Sequence, residues 1–205
     1  PVNITFANSQ TEINSSVSIA LGYSDNIEQE NEANSQESFI AEINPALTID
    51  YQSSKLDLDL DYALNSYSYS NKQLSKQNNI NHTLDANLLG ELHDVLFIKL
   101  DAKITQEQID KAQSDEVNGR SGFDNLTETY TYSINPYWEQ RWAGLAESKL
   151  SIIFDQLIFE NDSQLENSVA TENSDKYTAL LTIQSGDDFN KLGWGLNSIW
   201  SETKY

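Results

Sequence analysis

Apolar and polar residues alternate one for one along most of this chain. A two-residue period belongs to the β-strand, because successive side chains leave a strand on opposite faces. In 38–51, Phe39, Ala41, Ile43, Pro45, Leu47, Ile49 and Tyr51 share one face, and Glu42, Asn44, Thr48 and Asp50 lie on the other. In 55–67, Leu56, Leu58, Leu60, Tyr62 and Leu64 oppose Asp57, Asp59, Asp61 and Asn65. A slip of parity near Tyr67 and Tyr69 predicts a bulge or the end of that strand. In 94–105, Leu96, Ile98, Leu100, Ala102 and Ile104 oppose Lys99, Asp101 and Lys103. Nine segments follow the rule: 15–24, 38–51, 55–67, 78–89, 94–105, 125–141, 147–160, 175–184 and 189–201. Little of the chain sustains helical spacing, so the expected class is all-β and antiparallel.

The links between these segments alternate in length. Long, polar links occupy 25–37, 68–77, 106–124 and 161–174, and short ones 52–54, 90–93, 142–146 and 185–188. Short links make tight hairpins, so every long loop falls at one end of the sheet and every tight turn at the other. Outer-membrane β-barrels have this asymmetry, with short periplasmic turns and large extracellular loops. Strand length agrees. Ten residues tilted by about 40° rise about 25 Å, the height of a barrel's apolar band. The expected fold is therefore a single-domain, up-and-down transmembrane meander over 1–205, with 1–14 as a periplasmic lead-in. A closed meander ordinarily takes an even number of strands. Nine leaves three explanations open: the N-terminal portion of a longer barrel, one strand miscounted, or a barrel shared between subunits. The first is favoured, because apolar alternation lapses over 201–205.

Composition excludes several functions. With 32 Asp+Glu against 12 Lys+Arg the formal charge is −20, and nucleic-acid binding needs the clustered Lys and Arg that this chain lacks. There is no Cys, hence no disulfide framework, thiolate metal site or cysteine nucleophile. His82 falls on the apolar parity and His93 in a tight turn, so neither suits a Ser/His/Asp triad and the chain is not expected to be an enzyme. The longest apolar run, Val95-Leu96-Phe97-Ile98, is far short of the ~20 residues of a membrane helix. Leu, Ile, Val and Phe make up about a quarter of the chain, in a patterned order that argues against disorder.

In such a barrel the charged residues of the polar parity face the lumen: Glu42, Asp50, Asp57, Asp59, Asp61, Asp85, Lys99, Asp101, Lys103, Glu139, Arg141, Lys149 and Asp155. The acidic strip around Asp57, Asp59 and Asp61 hydrates the lumen or favours cations in a pore. Carboxylates two apart on one strand stand about 7 Å from each other, too far to chelate an ion unaided, so neither a metal nor another cofactor is expected. Lys99, Asp101 and Lys103 are expected to pair with the preceding strand, and Glu139, Arg141, Lys149 and Asp155 at the next hairpin. The lipid-facing set is Tyr23, Phe39, Tyr51, Leu56, Leu58, Leu60, Leu96, Ile98, Leu100, Trp138, Tyr177, Trp194 and Trp200. Its aromatic members form two girdles: Tyr23, Phe39, Tyr177 and Trp200 toward the long loops, Tyr51 and Trp138 toward the tight turns. Tyr67 and Tyr69 either join the upper girdle or stack on sugar rings. Ile43-Asn44-Pro45 and Ile134-Asn135-Pro136 recur in two long segments, which suggests a shared kink.

Leu21-Gly22-Tyr23-Ser24-Asp25-Asn26, Glu42-Ile43-Asn44-Pro45-Ala46-Leu47, Tyr132-Ser133-Ile134-Asn135-Pro136 and Leu192-Gly193-Trp194 stand in an order, with aspartate-rich hairpins between them, that resembles one family. It is the outer-membrane proteins associated with the PEP-CTERM (exosortase) system of Gram-negative bacteria. The resemblance covers nearly the whole chain through short, strand-like motifs. It implies a β-barrel at the cell surface, with further strands beyond Tyr205, in the context of exopolysaccharide biosynthesis and export. It carries over no catalytic residue. The function expected is thus an outer-membrane channel or accessory for exopolysaccharide export or surface assembly, its long loops extracellular. Its expected partners are outer-membrane lipid, lipopolysaccharide, and exopolysaccharide or the export machinery. The alternative is a soluble or surface-attached β-sandwich that binds glycan or a partner protein, which requires Leu56, Leu58 and Leu60 to be covered by a second sheet.

Overall fold

The computed structural model describes residues 9–25, 37–71, 79–108, 116–117, 120–121, 126–160, 173–189 and 192–205. These contain eleven strands and no helix: β1 Gln10–Ser24, β2 Ser38–Gln52, β3 Leu56–Tyr69, β4 Asn79–His93, β5 Leu96–Gln108, β6 Glu116–Val117, β7 Arg120–Ser121, β8 Leu126–Trp142, β9 Ala146–Phe159, β10 Ser174–Ser185 and β11 Gly195–Lys204. Nine of them make one antiparallel meander in the order β1-β2-β3-β4-β5-β8-β9-β10-β11, and β6-β7 form a separate two-stranded ribbon within the expected loop 106–124. All nine predicted strands are present. The sheet is not closed: β1 pairs with β2 alone and β11 with β10 alone.

Several boundaries differ from the expectation. β1 begins at Gln10, inside the stretch read as a lead-in. The expected link 90–93 belongs to β4, which leaves only Asp94 and Val95 to turn the chain. β11 continues to Lys204, paired with Asp175, so the lapse of apolar alternation does not end the strand. The backbone ladder needs no apolar side chain. Trp194 precedes β11 rather than lying in it, and the link between β10 and β11 spans 186–194, as long as the link 70–78.

The slip at Tyr67 and Tyr69 marks the end of a strand and not a bulge, because β3 stops at Tyr69. The β2–β3 register runs unbroken from Gln52↔Asp57 to Glu42↔Tyr67 and Ile40↔Tyr69, so both tyrosines sit on the polar face, outside any girdle. The irregularity in the sheet is instead in β4–β5, between Glu91 and His93. The two Ile-Asn-Pro copies behave alike. Bridges lapse between Ile43↔Ser66 and Ala46↔Ala63, and again between Ile134↔Phe154 and Tyr137↔Ser151, because proline has no N–H to donate. The register resumes unshifted each time.

No second layer packs on this sheet among the described residues, and Tyr69 is their one buried large hydrophobic side chain. The strands neither break nor fold over into two sheets. Order instead comes from the ladder and from interlocked turns. In the turn Trp142–Leu145 the Leu145 N–H donates to Trp142 O (2.8 Å), with Ala143 and Gly144 both at positive φ, as hairpin turns of this kind demand. Against it lies the β10–β11 link: Gly186 N–H donates to Leu145 O and Asp188 N–H to Gly144 O, each at 3.0 Å. A Cβ on Gly186 would overlap Gly144 O. Gly186→Ala is therefore expected to part the two turns and lower stability by about 1–3 kcal/mol, the worth of two backbone hydrogen bonds. A urea titration checks this loss, and Gly193→Ala, whose Cβ meets Ser185 Oγ at an ordinary 3.5 Å, should be silent in it.

Candidate functional site

The register divides the side chains into two faces. On the apolar face of β1, Ile13, Val17, Ile19, Leu21 and Tyr23 stand opposite Ile49, Pro45, Ile43, Ala41 and Phe39 of β2. Leu58, Leu60 and Tyr62 continue that face on β3, Leu88, Ala86 and Leu84 on β4, and Leu100, Ala102 and Ile104 on β5. Ile134, Pro136 and Trp138 extend it to β8, Phe154 and Leu150 to β9, Tyr177 and Leu181 to β10, and Trp200 to β11. Leu56, Leu96 and Ile98 lie on the same face, with Gly90, Trp138 and Pro136 opposite them. Tyr51 is there too, beside Leu58. Much of this surface is open, as Leu21 at 83 % and Ile199's neighbour Trp200 at 57 % exposed illustrate.

Aromatic rings meet near both ends of the apolar face. Tyr23 tilts against Phe39 and Phe154 against Tyr177, both with centroids 5.1 Å apart, and Tyr23 OH donates to Glu37 at 2.8 Å. Toward the tight turns Trp138 meets Trp142 edge-on at 6.3 Å, and Trp142 Nε1 donates to Ser148 Oγ. Trp194, in its link, packs edge-on against Phe189 at 6.2 Å.

All thirteen charged residues expected to share a face do share the polar face. One row crosses all nine strands: Glu12↔Asp50↔Asp59↔Asn87↔Asp101↔Ser133↔Asp155↔Lys176↔Thr203. The next row runs Thr48↔Asp61↔Asp85↔Lys103↔Thr131. Charge is segregated along these rows. Strands β1 to β4 contain no Lys or Arg, while the polar face of β5 to β10 carries Lys99, Lys103, Arg141, Lys149 and Lys176 among its acids. At the tight-turn end of β1–β3, Glu12, Asp50, Asp57 and Asp59 line an open groove of about 770 Å³.

The expected pairing holds in part. Lys149 Nζ lies 3.8 Å from Glu139 and also 3.9 Å over the Tyr137 ring, which stacks on Phe97 at 5.0 Å. Lys103 stands opposite Asp85 in register. Lys99, however, turns to Asp101 of its own strand (3.0 Å). Arg141 takes Glu147 (3.2 Å), a partner the sequence reading did not name, and Asp155 accepts from Ser133 Oγ (2.7 Å). Asp61 accepts from Thr48 Oγ1 at 2.7 Å, and Glu42 from Asn44 Nδ2 at 2.6 Å. Among the described residues no three His, Asp or Glu side chains are placed to hold a metal ion. Glu28, Glu30 and Glu32 of the acidic loop 25–37 lie outside the described residues.

The reading by alternation missed the residues that break it. Phe97 and Tyr137 are rings on the polar face, and a strict parity count past Ile98 and Trp138 would have found them. On the apolar face it missed Glu128, whose Oε1 accepts the His82 backbone N–H (3.1 Å) and whose Oε2 accepts the Tyr130 hydroxyl (2.7 Å). His82 Nδ1 lies 2.6 Å from Tyr62 OH. Only the cross-strand register brings these four together.

Compared with known proteins, the chain matches no family model, no curated protein and no solved structure.

Asp50 faces Glu12 on one side and Asp59 on the other, and like charges directly opposite one another destabilise a ladder. Asp50→Asn is expected to raise the urea midpoint in low salt and to lose that gain near ~1 M salt, where screening acts over about 3 Å. A midpoint lowered in low salt would show that the Asp50 carboxylate is held by favourable contacts.

Proposed function

We propose that this chain forms the wall of a bacterial outer-membrane β-barrel that serves as a channel or accessory in exopolysaccharide export or cell-surface assembly. One observation carries the membrane part of that reading. A single sheet is apolar on one face across nine strands, and no second layer covers that face among the described residues. Water makes such a surface costly at about 25 cal/mol per Å², and patches larger than a few hundred Å² mark interaction sites or membrane contact. Hydrocarbon removes the cost. A bilayer also demands that backbone groups be paired, which a ladder does.

On this reading the apolar face meets lipid, with the ring pairs near its ends at the two membrane interfaces. The polar face lines water. The long links lie at the cell surface, next to lipopolysaccharide, and the tight turns in the periplasm. The link to exopolysaccharide rests on the family resemblance, with which the carboxylate, amide and hydroxyl lining of the polar face is compatible. The lining's acidic half would draw cations toward one wall and repel anionic polymers from it.

The protein should leave membranes only in detergent and migrate faster on a gel unheated than boiled. In planar bilayers its conductance should favour cations, and Asp57→Asn/Asp59→Asn/Asp61→Asn should reduce that preference severalfold. A monomer that stays in solution without detergent would sink the membrane reading.

A further inference from the structure

Both outer strands of the sheet have one open edge, and the two edges are not alike. β11 carries Glu202 and Lys204, an ion pair at 3.9 Å, and charged residues, lysine above all, are the usual guard of an open edge. β1 has no Pro, Lys or Arg, and its register against β2 runs from Gln10↔Gln52 to Ser24↔Ser38 without a bulge. Glu12 is its one charge. An edge this long, regular and unguarded is a template for another strand.

Pro45 shows which backbone groups β1 offers. In an antiparallel pair each residue either exchanges both hydrogen bonds with the residue opposite or exchanges neither. Pro45 breaks the bridges to β3 and leaves Val17↔Pro45 in place, so the side of Pro45 that lacks an N–H faces β3. Phe39, of the same parity, sends its carbonyl the same way and accepts from Ser70 N–H at 3.0 Å. Even-numbered residues of β2 therefore bond to β1, where their partners are even-numbered as well, as in Asn44↔Ser18 and Ala46↔Ser16. The N–H and C=O groups of the odd-numbered residues from Thr11 to Tyr23 point away from the sheet. No described strand takes them up, and all of β1 but Ser24 is exposed.

We infer that the β1 edge accepts an extended segment of a partner polypeptide, added antiparallel, with apolar residues at alternate positions and a lysine or arginine opposite Glu12. The charge follows from the row that ends at this edge. Glu12↔Asp50↔Asp59 crosses strands that hold no Lys or Arg, and Glu12 accepts from the neutral Asn14 amide at 2.8 Å. The groove that holds Asp50, Asp57 and Asp59 reaches the edge at Gln10 and Thr11. Because Glu12 turns its backbone groups toward β2, it meets an added strand as a non-hydrogen-bonded pair, with Cα atoms about 4.5 Å apart and side chains close. Opposite charges so placed stabilise a ladder. A second copy does not bring this cation. Its open edges are β1, which has none, and β11, whose Lys204 lies on the apolar face with Trp200. Strand addition needs only the ladder, so it stands whatever covers the apolar face.

The parity of the ladder supplies the readout. In the detergent-solubilised protein, amide hydrogen exchange followed by NMR should be fast at Ile13, Val17, Ile19 and Leu21 and slow at Ser16 and Ser18. The probe is a thirteen-residue synthetic peptide that alternates valine and serine, valine first, with lysine as its twelfth residue. Laid from Tyr23 down to Thr11, it brings the lysine to Glu12. It should slow the four odd-numbered amides about tenfold. The same peptide with glutamate for lysine should bind about tenfold more weakly in low salt, and Glu12→Lys should reverse that order. Val17→Pro removes an outward N–H and none of the bonds to β2. It should weaken the lysine peptide about tenfold and leave the urea midpoint in place. The charge swap at exposed Glu12 keeps the test decisive should that proline disturb the strand. Odd-numbered amides that the peptide does not slow, or equal binding of the two peptides, overturn the inference. Odd-numbered amides already slow in the protein alone overturn it as well. Sedimentation then assigns the edge to a second copy if the chain is dimeric, and to a segment of its own if it is monomeric.

Discussion

Everything in this sheet depends on register. Each strand carries one apolar and one polar edge of side chains, and a slip of one residue between any two neighbours would exchange them. Across eight junctions that exchange does not occur. The sole shift, between Glu91 and His93, lies beside a two-residue turn at the end of the ladder, where few side chains follow it. Two prolines interrupt the ladder without moving it, because each bridge lost at Pro45 or Pro136 is flanked on both sides by pairs in the same register. Asn44 and Asn135, the residues before them, each keep a buried Oδ1 with no partner among the described residues. The repeat thus costs some hydrogen bonding at both sites and leaves the face assignment intact.

Keeping the faces apart has an energetic consequence. A sandwich or a helix-covered sheet stabilises itself by burying its apolar side against a second layer. Here that side finds no layer among the described residues, so cohesion within the chain falls to backbone pairing, cross-strand contacts and turn locks such as Gly186 on Gly144. Cross-strand pairs are worth about 0.2–1 kcal/mol each, and the polar face spends part of that gain on opposed carboxylates. The largest stabilising term open to such a sheet, removal of its apolar face from water, is not supplied by any second layer among the described residues. A sheet of this kind is stable in the environment that supplies the second layer.

Much of this architecture was legible in the sequence, and the reason is periodicity. With a period of two, a single long strand such as β2 fixes its own faces, and the link pattern then orders its neighbours. What alternation could not show falls into two groups. Strand ends were misjudged where apolar residues ran out before the hydrogen bonds did, as over Glu202 and Lys204, and faces where polar-face residues were aromatic, as at Tyr67 and Tyr69. Partner choice was the other. Whether Arg141 meets Asp155 or Glu147 depends on the offset between β8 and β9, which puts Arg141 opposite Glu147. The Glu128–His82 contact joins residues far apart in sequence and across an intervening strand, and no local pattern encodes it.

An odd number of strands in a meander also fixes the direction of its edges. β1 and β11 both run from the tight-turn end to the long-loop end, so joining them directly would make a parallel seam in an antiparallel wall. A second copy does not avoid this. Two chains inserted in one membrane with the same orientation again present their edges pointing the same way, whichever edges meet. Antiparallel closure would take an odd number of strands between β11 and β1, the first and the last of them descending. The requirement is chemical as well as geometric. Such a strand would have to satisfy the edge donors and acceptors of β1, continue the apolar row beside Ile13, Val17 and Leu21, and place polar groups beside Glu12 and Asn14. In hydrocarbon an edge left unpaired costs several kcal/mol for each open backbone group, so a bilayer would penalise the open edges of β1 and β11 most of all.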